Sequence, residues 1–207
     1  MPSHSYAVWA SGRGSNFKAM LDACRDGRLP YKPSLLLTDN ADAPAREIAR
    51  AAGVDTLFID PKIHKGRKQF GERAVAELTA RGIDTIVLAG FMRIVDGVVV
   101  RAFPNRIINI HPALLPLFPG LDAQQQAIAA GVKESGCTVH FVDEGIDTGP
   151  IIMQAKVPVF PGDTAETLSA RILVEEHRIY PLVVRALLED RIALAHGRGI
   201  IADSPHS

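Results

Sequence analysis

Asn109 and His111 stand two residues apart in Asn109-Ile110-His111-Pro112. On a strand that spacing sends both side chains to one face, and Pro112 ends the strand beside them. An amide donor next to an imidazole can hold a developing oxyanion and move a proton. A lone buried histidine is more often structural, but the paired amide and the place at a strand end point to function. The segment Asp143-Glu144-Gly145-Ile146-Asp147-Thr148-Gly149-Pro150 brings three carboxylates among two glycines and a proline. A carboxylate delivered to His111 would orient the ring and favour its charged form. The spacing leaves open which of the three does so, and Asp143 and Glu144 also suit a solvated turn.

A second chemical feature is Gly12-Arg13-Gly14-Ser15-Asn16. Glycines let the backbone turn tightly and approach an anion, and the helix that follows offers free N–H groups at its positive end. A dinucleotide fingerprint needs a third glycine where Phe17 stands, and the Gly-Lys-Ser/Thr ending of a triphosphate loop is missing. A phosphate monoester fits best, the bland alternative being a tight turn. Other catalytic patterns fail. The chain has no Gly-x-Ser-x-Gly elbow, His-Glu-x-x-His or Cys-x-x-Cys, and no metal is expected. Cys137 and His140 lie an odd number of residues apart on one strand, which makes a poor nucleophile–base pair.

Elements to position these residues follow from periodicity. Tyr6–Ala10, 34–38, 54–59, 85–89 and 106–110 read as apolar strands. Phe17, Met20, Leu21 and Cys24 recur at helical spacing, as do Phe70, Ala74 and Leu78 within a helix over 66–81, and a further helix spans 43–52 and ends at Gly53. Uniformly apolar strands alternating with helices imply an open, doubly wound, mostly parallel α/β sheet, with ligands at the carboxyl ends of the strands. The second half changes character. Residues 137–142 and 151–159 alternate with a period of two, predicting half-exposed antiparallel strands at a C-terminal edge, with Pro158 marking an edge. Asp163-Thr164-Ala165-Glu166 starts a helix carrying Leu168, Ile172 and Ile179. Glu175 and Glu176 fall on or beside that apolar stripe, an odd place for carboxylates without a partner. The tail after about Gly197 reads as frayed.

Composition bounds the partners. In 207 residues Lys plus Arg and Asp plus Glu are equal at 23 each, so nothing marks a nucleic-acid binder. Apolar residues make up 47%, enough for a substantial core. Cys24 and Cys137 read as two buried thiols. Met1-Pro2-Ser3-His4-Ser5 shows no secretory signal and no run could span a bilayer, so a cytoplasmic protein without membrane contact is expected.

Four motifs in order carry a resemblance: Ser11-Gly12-Arg13-Gly14-Ser15-Asn16, Ala89-Gly90-Phe91-Met92-Arg93-Ile94, Asn109-Ile110-His111-Pro112-Ala113-Leu114-Leu115-Pro116, and Asp147-Thr148-Gly149-Pro150. From about residue 6 to 194 the chain resembles the glycinamide ribonucleotide transformylase family of folate-dependent formyltransferases, with their Rossmann-like fold. The resemblance implies a single formyltransferase domain over residues 1–207, with an N-terminal phosphate-binding half and a C-terminal folate-binding half. It implies that the amine of glycinamide ribonucleotide attacks the formyl carbon of 10-formyltetrahydrofolate, the co-substrate, without a metal, in purine biosynthesis. His111, held protonated by Asp147, would be the general acid, and Asn109 would donate to the same oxygen. Asp147 would also organise the water that relays the proton. Gly14, Ser15, Asn16 and Glu176 would meet the ribonucleotide. Arg67, Met92, Arg93, Ile94, Val95 and Asn109 would meet the folate, with Asp143, Glu144, Gly145, Ile146 and Asp147 along its pterin. Met92 and Ile94 would otherwise pass as ordinary core, and Arg67 as a solvated helix residue. The chain departs from the family at Leu117, Asp122 and Gln125, and at Trp9, where a small aliphatic residue is expected.

Two other functions remain as alternatives. A formyltetrahydrofolate hydrolase uses similar machinery, though such enzymes look longer. A non-catalytic Rossmann-type nucleotide-binding module would use Gly12, Gly14 and Asp39. A monomer or homodimer is expected, and a sharp turn suggests a cis Leu115–Pro116 bond.

Overall fold

Tyr6–Trp9 (β1) and Leu35–Thr38 (β2) are buried at every position, and so is Thr85–Leu88 (β4). Between them come α1 (Ser15–Arg25), α2 (Ala45–Ala52), β3 (Asp55–Phe58) and α3 (Gly66–Ala80), and α4 (Gly97–Ala102) follows. The computed structural model describes residues 5–202. Met1–His4 and residues 203–207 lie outside it, and with them most of the proposed leader-free start and the last of the tail. The described chain forms two compact units divided after Ile108.

In the first unit the strand order is β3-β2-β1-β4, with the three neighbouring pairs parallel and Val8 opposite both Leu36 and Val87. Phe17, Met20 and Leu21 of α1 are buried, as their spacing requires. Cys24 is only half-buried, against the expectation of a core thiol, because α1 ends there and its Sγ donates to the Tyr31 carbonyl at 3.2 Å. β3 is largely exposed. It is the last strand of its edge, so one side has no neighbour and its apolar run earns little burial. α4 was not foreseen; Asp96 caps it by accepting from the Val98 N–H.

β5 (Ile107–His111) starts in the first unit and finishes in the second, followed by α5 (Ala123–Ala129), β6 (Glu134–Phe141), β7 (Ile151–Pro158) and α6 (Ala165–Leu188), then β8 (Ile192–Ala195) and β9 (Arg198–Ile201). In the second unit the strand order is β5-β6-β7-β9-β8. β6 and β7 are antiparallel, with Thr138 opposite Gln154, and β9 joins β7 in parallel at Ile151↔Arg198.

Three expectations are corrected here. β6 is buried from Ser135 to Phe141 instead of half-exposed, because α6 packs across β6 and β7. Pro158 does not make β7 an edge strand over its length, since β7 lies between β6 and β9; its β9 pairing is at Ile151, and only at the far end does Pro158 stand opposite β6 alone, at Glu134. The tail is not frayed after Gly197, since Arg198–Ile201 pairs with Ile192–Ala195 as a hairpin. The start of α6 matches its sequence signal. Thr164 and Thr167 form a reciprocal capping box, and Asp163 accepts from both sides of the Arg171 guanidinium at 2.8 and 2.9 Å. Among the described residues no helix is long and apolar enough to cross a membrane.

Candidate active site

The end of β5 and the loop after β6 come together within the second unit. His111 is 4% exposed. Its Nε2 donates to the Phe118 carbonyl at 2.8 Å, and its Nδ1 lies 3.3 Å from Asp147 Oδ2. The Gly120 N–H donates to that same carboxylate oxygen at 2.8 Å. Of the three carboxylates left open by the sequence, Asp147 is therefore the one beside the imidazole. Asp143 serves the loop itself, accepting from the Gly145 N–H at 3.0 Å and from the Thr148 hydroxyl at 2.7 Å. Asp147 sits at φ 54°, in the left-handed region, and the Leu115–Pro116 peptide is cis.

Burial pushes the Asp147 carboxyl up, but the neighbouring His140 and His111 rings and the hydrogen bond from the Gly120 N–H outweigh it. The carboxyl therefore lies below the usual carboxylate value, and it stays ionised beside His111. Oxygen acceptors on both ring nitrogens suit the imidazolium form of His111, which alone has two N–H groups.

Asn109 Nδ2 lies 3.3 Å from His140 Nε2, and that nitrogen is also 3.5 Å from Asp147 Oδ1. Asn109, His111, His140 and Asp147 thus form one connected set. Parity with Cys137 set His140 aside as a catalytic base, yet a histidine between Val139 and Phe141 was the signal available. The backbone partners Phe118 and Gly120 carried no signal, since any residue has a carbonyl and almost any an N–H. Cys137, by contrast, is inert: burial and the nearby Glu176 push its thiol up to about 12.

The remaining candidates fall in two places. In the first unit Gly14 caps α1 in the left-handed conformation, with Ser15 half-buried and Asn16 buried. Ser11 Oγ accepts the Met92 N–H at 2.9 Å, so this turn and the 92–95 segment are tied together. Met92 and Ile94 are 67% and 45% exposed, which corrects the alternative that they belong to the core. Apolar side chains held out in this way suit a flat apolar ligand. Val95 is buried, Arg67 is exposed, and the Arg93 guanidinium lies 5.3 Å over the Phe70 ring. Trp9 fills space against Phe91 and Phe70, with centroids 5.2 and 6.3 Å away, which accommodates its bulk. In the second unit Glu176 is buried on α6, while Glu175 pairs with Arg178. Glu144, Gly145 and Ile146 are exposed on the 143–150 loop. Among the described residues no group of three or more His, Cys, Asp or Glu side chains is arranged to hold a metal ion.

Residues 5–184 match the formyl transferase family. The phosphoribosylglycinamide formyltransferase of Bacillus subtilis is 42% identical over 183 residues, 88% of this chain and 94% of its own length. The structure of glycinamide ribonucleotide transformylase 1 from Symbiobacterium toebii superposes with a TM-score of 0.93 at 52% identity, over 96% of this chain and 94% of that one. A formyltetrahydrofolate deformylase from Pseudomonas syringae gives a TM-score of 0.87 at 25% identity, over 96% of this chain and 66% of that one.

Proposed function

The chain belongs to the formyl transferase family, and we propose that Asn109, His111 and Asp147 carry the formyl transfer it catalyses. The enzyme moves the formyl group of 10-formyltetrahydrofolate to the amine of glycinamide ribonucleotide, a step of purine biosynthesis. The observation that carries the site assignment is the ionised Asp147 carboxylate 3.3 Å from His111 Nδ1.

The folate supplies the formyl carbon and its oxygen. His111, kept as the imidazolium by Asp147, offers a proton to that oxygen as negative charge builds on it, and Asn109 donates a second hydrogen bond. As the amine of the ribonucleotide bonds to the formyl carbon, a tetrahedral intermediate forms. It collapses by breaking the bond to the folate nitrogen, which takes up the amine proton relayed through a water that Asp147, still charged, orients. One N–H of His111 must exchange the Phe118 carbonyl or Asp147 for the substrate oxygen.

Gly14, Ser15 and Asn16 hold the phosphate of the ribonucleotide through N–H and side-chain donors at the start of α1, and Glu176 meets the same substrate. Met92, Ile94 and Val95, with Arg93 and Asn109, take the folate, the 143–147 loop lies along its pterin, and Arg67 takes its tail. The exposed apolar pair Met92 and Ile94 supports that reading. The whole chain is taken as one formyltransferase domain working in the cytoplasm as a monomer or homodimer.

Absorbance of folate release, followed with and without glycinamide ribonucleotide, tests the transfer. Release that depends on the ribonucleotide is expected. Release at the same rate without it would make the enzyme a hydrolase, the activity named for the deformylase at 25% identity.

A further inference from the structure

His140 touches two of the three residues assigned to the reaction, and no step so far uses it. The register between β6 and β7 slips at this residue: Val139 faces Met153, but His140 faces Ile151. Such an irregularity re-aims a side chain. The His140 side chain is 3% exposed, so each of its ring nitrogens must find a partner within the protein.

Nδ1 lies 2.8 Å from the Phe141 carbonyl, which can only accept, so Nδ1 carries a hydrogen. Nε2 faces Asn109 Nδ2 at 3.3 Å and Asp147 Oδ1 at 3.5 Å. It either accepts from the amide or, once protonated, donates to the carboxylate. His111 decides between these. Both of its nitrogens face oxygen acceptors, whereas His140 has an amide within closer reach than the carboxylate. Two imidazolium rings around one buried carboxylate would set like charges together. The single charge therefore belongs to His111, and His140 keeps a lone pair on Nε2.

We propose that His140, neutral and protonated at Nδ1, is a positioning residue that locks the Asn109 carboxamide with its NH₂ end in the site. An amide has two nearly isosteric orientations, and only its hydrogen-bond partners choose between them. With Nε2 as an acceptor, the flipped amide would set its carbonyl against a lone pair. The same flip would aim a carbonyl, not an N–H, at the formyl oxygen. This inference rests on the reading of Asn109 as an oxyanion donor.

Two replacements separate the lock from mere packing. His140→Gln can place an amide oxygen near the Nε2 position, while His140→Asn keeps only a donor for the Phe141 carbonyl. We expect His140→Asn to lower kcat by about 10²-fold, the scale of losing one oxyanion donor, with both KM values nearly unchanged. His140→Gln should recover at least about 10-fold of that loss, since it restores the acceptor. Wild-type kcat in His140→Asn, or equal loss in both variants, overturns the lock. Nitrogen-15 spectra of histidine-labelled wild-type enzyme give a readout that needs no variant to fold. A neutral ring protonated at Nδ1 is expected for His140, and an Nε2–H tautomer or a cation near neutral pH overturns the proposal. An active His111→Ala enzyme would instead overturn the underlying site assignment, whatever His140 does.

Discussion

Two glycine-bearing turns follow strands of this chain, and they work in opposite ways. The Gly12–Asn16 turn works through its backbone. Gly14 adopts φ 71°, its carbonyl begins the α1 ladder by accepting from Lys18, and a Cβ there would lie 2.7 Å from Ala45 Cβ. The 143–150 loop works through its side chains: Asp143 braces it and Asp147 reaches the imidazole. Gly149 serves that loop only by vanishing, since any Cβ would overlap the Phe141 carbonyl. A backbone device should fail gradually, through fit and affinity. A side-chain device should fail in the chemical step.

The sharpest way to break this contrast is to remove the side chains. His111→Ala and Asp147→Asn should each lower kcat by roughly 10³-fold, within the range for general acid–base groups, while circular dichroism stays native. Near-normal turnover in either would remove the mechanism. Next come the glycines. Gly149→Ala should lower stability by about 2–3 kcal/mol through overpacking against backbone and should also depress kcat. Gly14→Ala should cost about 1–3 kcal/mol from the left-handed conformation and the contact with Ala45. Its KM for the ribonucleotide should rise more than its KM for the folate, and equal rises would sink the phosphate-turn assignment.

The smallest effect is one of pH. The folded Asp147 carboxyl lies below its ordinary value, so its contribution to stability is complete above the unfolded value and is lost as pH falls through the folded one. Melting temperatures of wild type and Asp147→Asn should differ by a constant amount above about pH 5, with the gap narrowing below about pH 4. A gap that widened in acid would contradict the assigned partners.

The parallel half of the fold was legible because β1, β2 and β4 are short, almost wholly apolar runs, buried at every position, that alternate with helices of clear period. The second half was legible in its strands but not in their surroundings. β6 alternates in sequence, yet it is buried at successive positions from Ser135 to Phe141, so both of its faces are covered. α4 and α5 are too short, at 6 and 7 residues, for their periodicity to speak. The hairpin of β8 and β9 hid behind glycine and polar residues that also suit a loose end.

The chain by itself determined the types and local spacing of the chemistry: an amide and an imidazole two apart on a strand, a carboxylate-rich loop, and a glycine turn before a helix. Those are short-range facts, set by strand and helix geometry. Spacing did not choose among the three carboxylates; the tertiary structure decided that Asp147, which the family resemblance implied, lies beside His111, and that His140 completes the set. Those contacts depend on how one loop folds back and on a register slip in β6 and β7, and both arise from packing between residues distant in sequence.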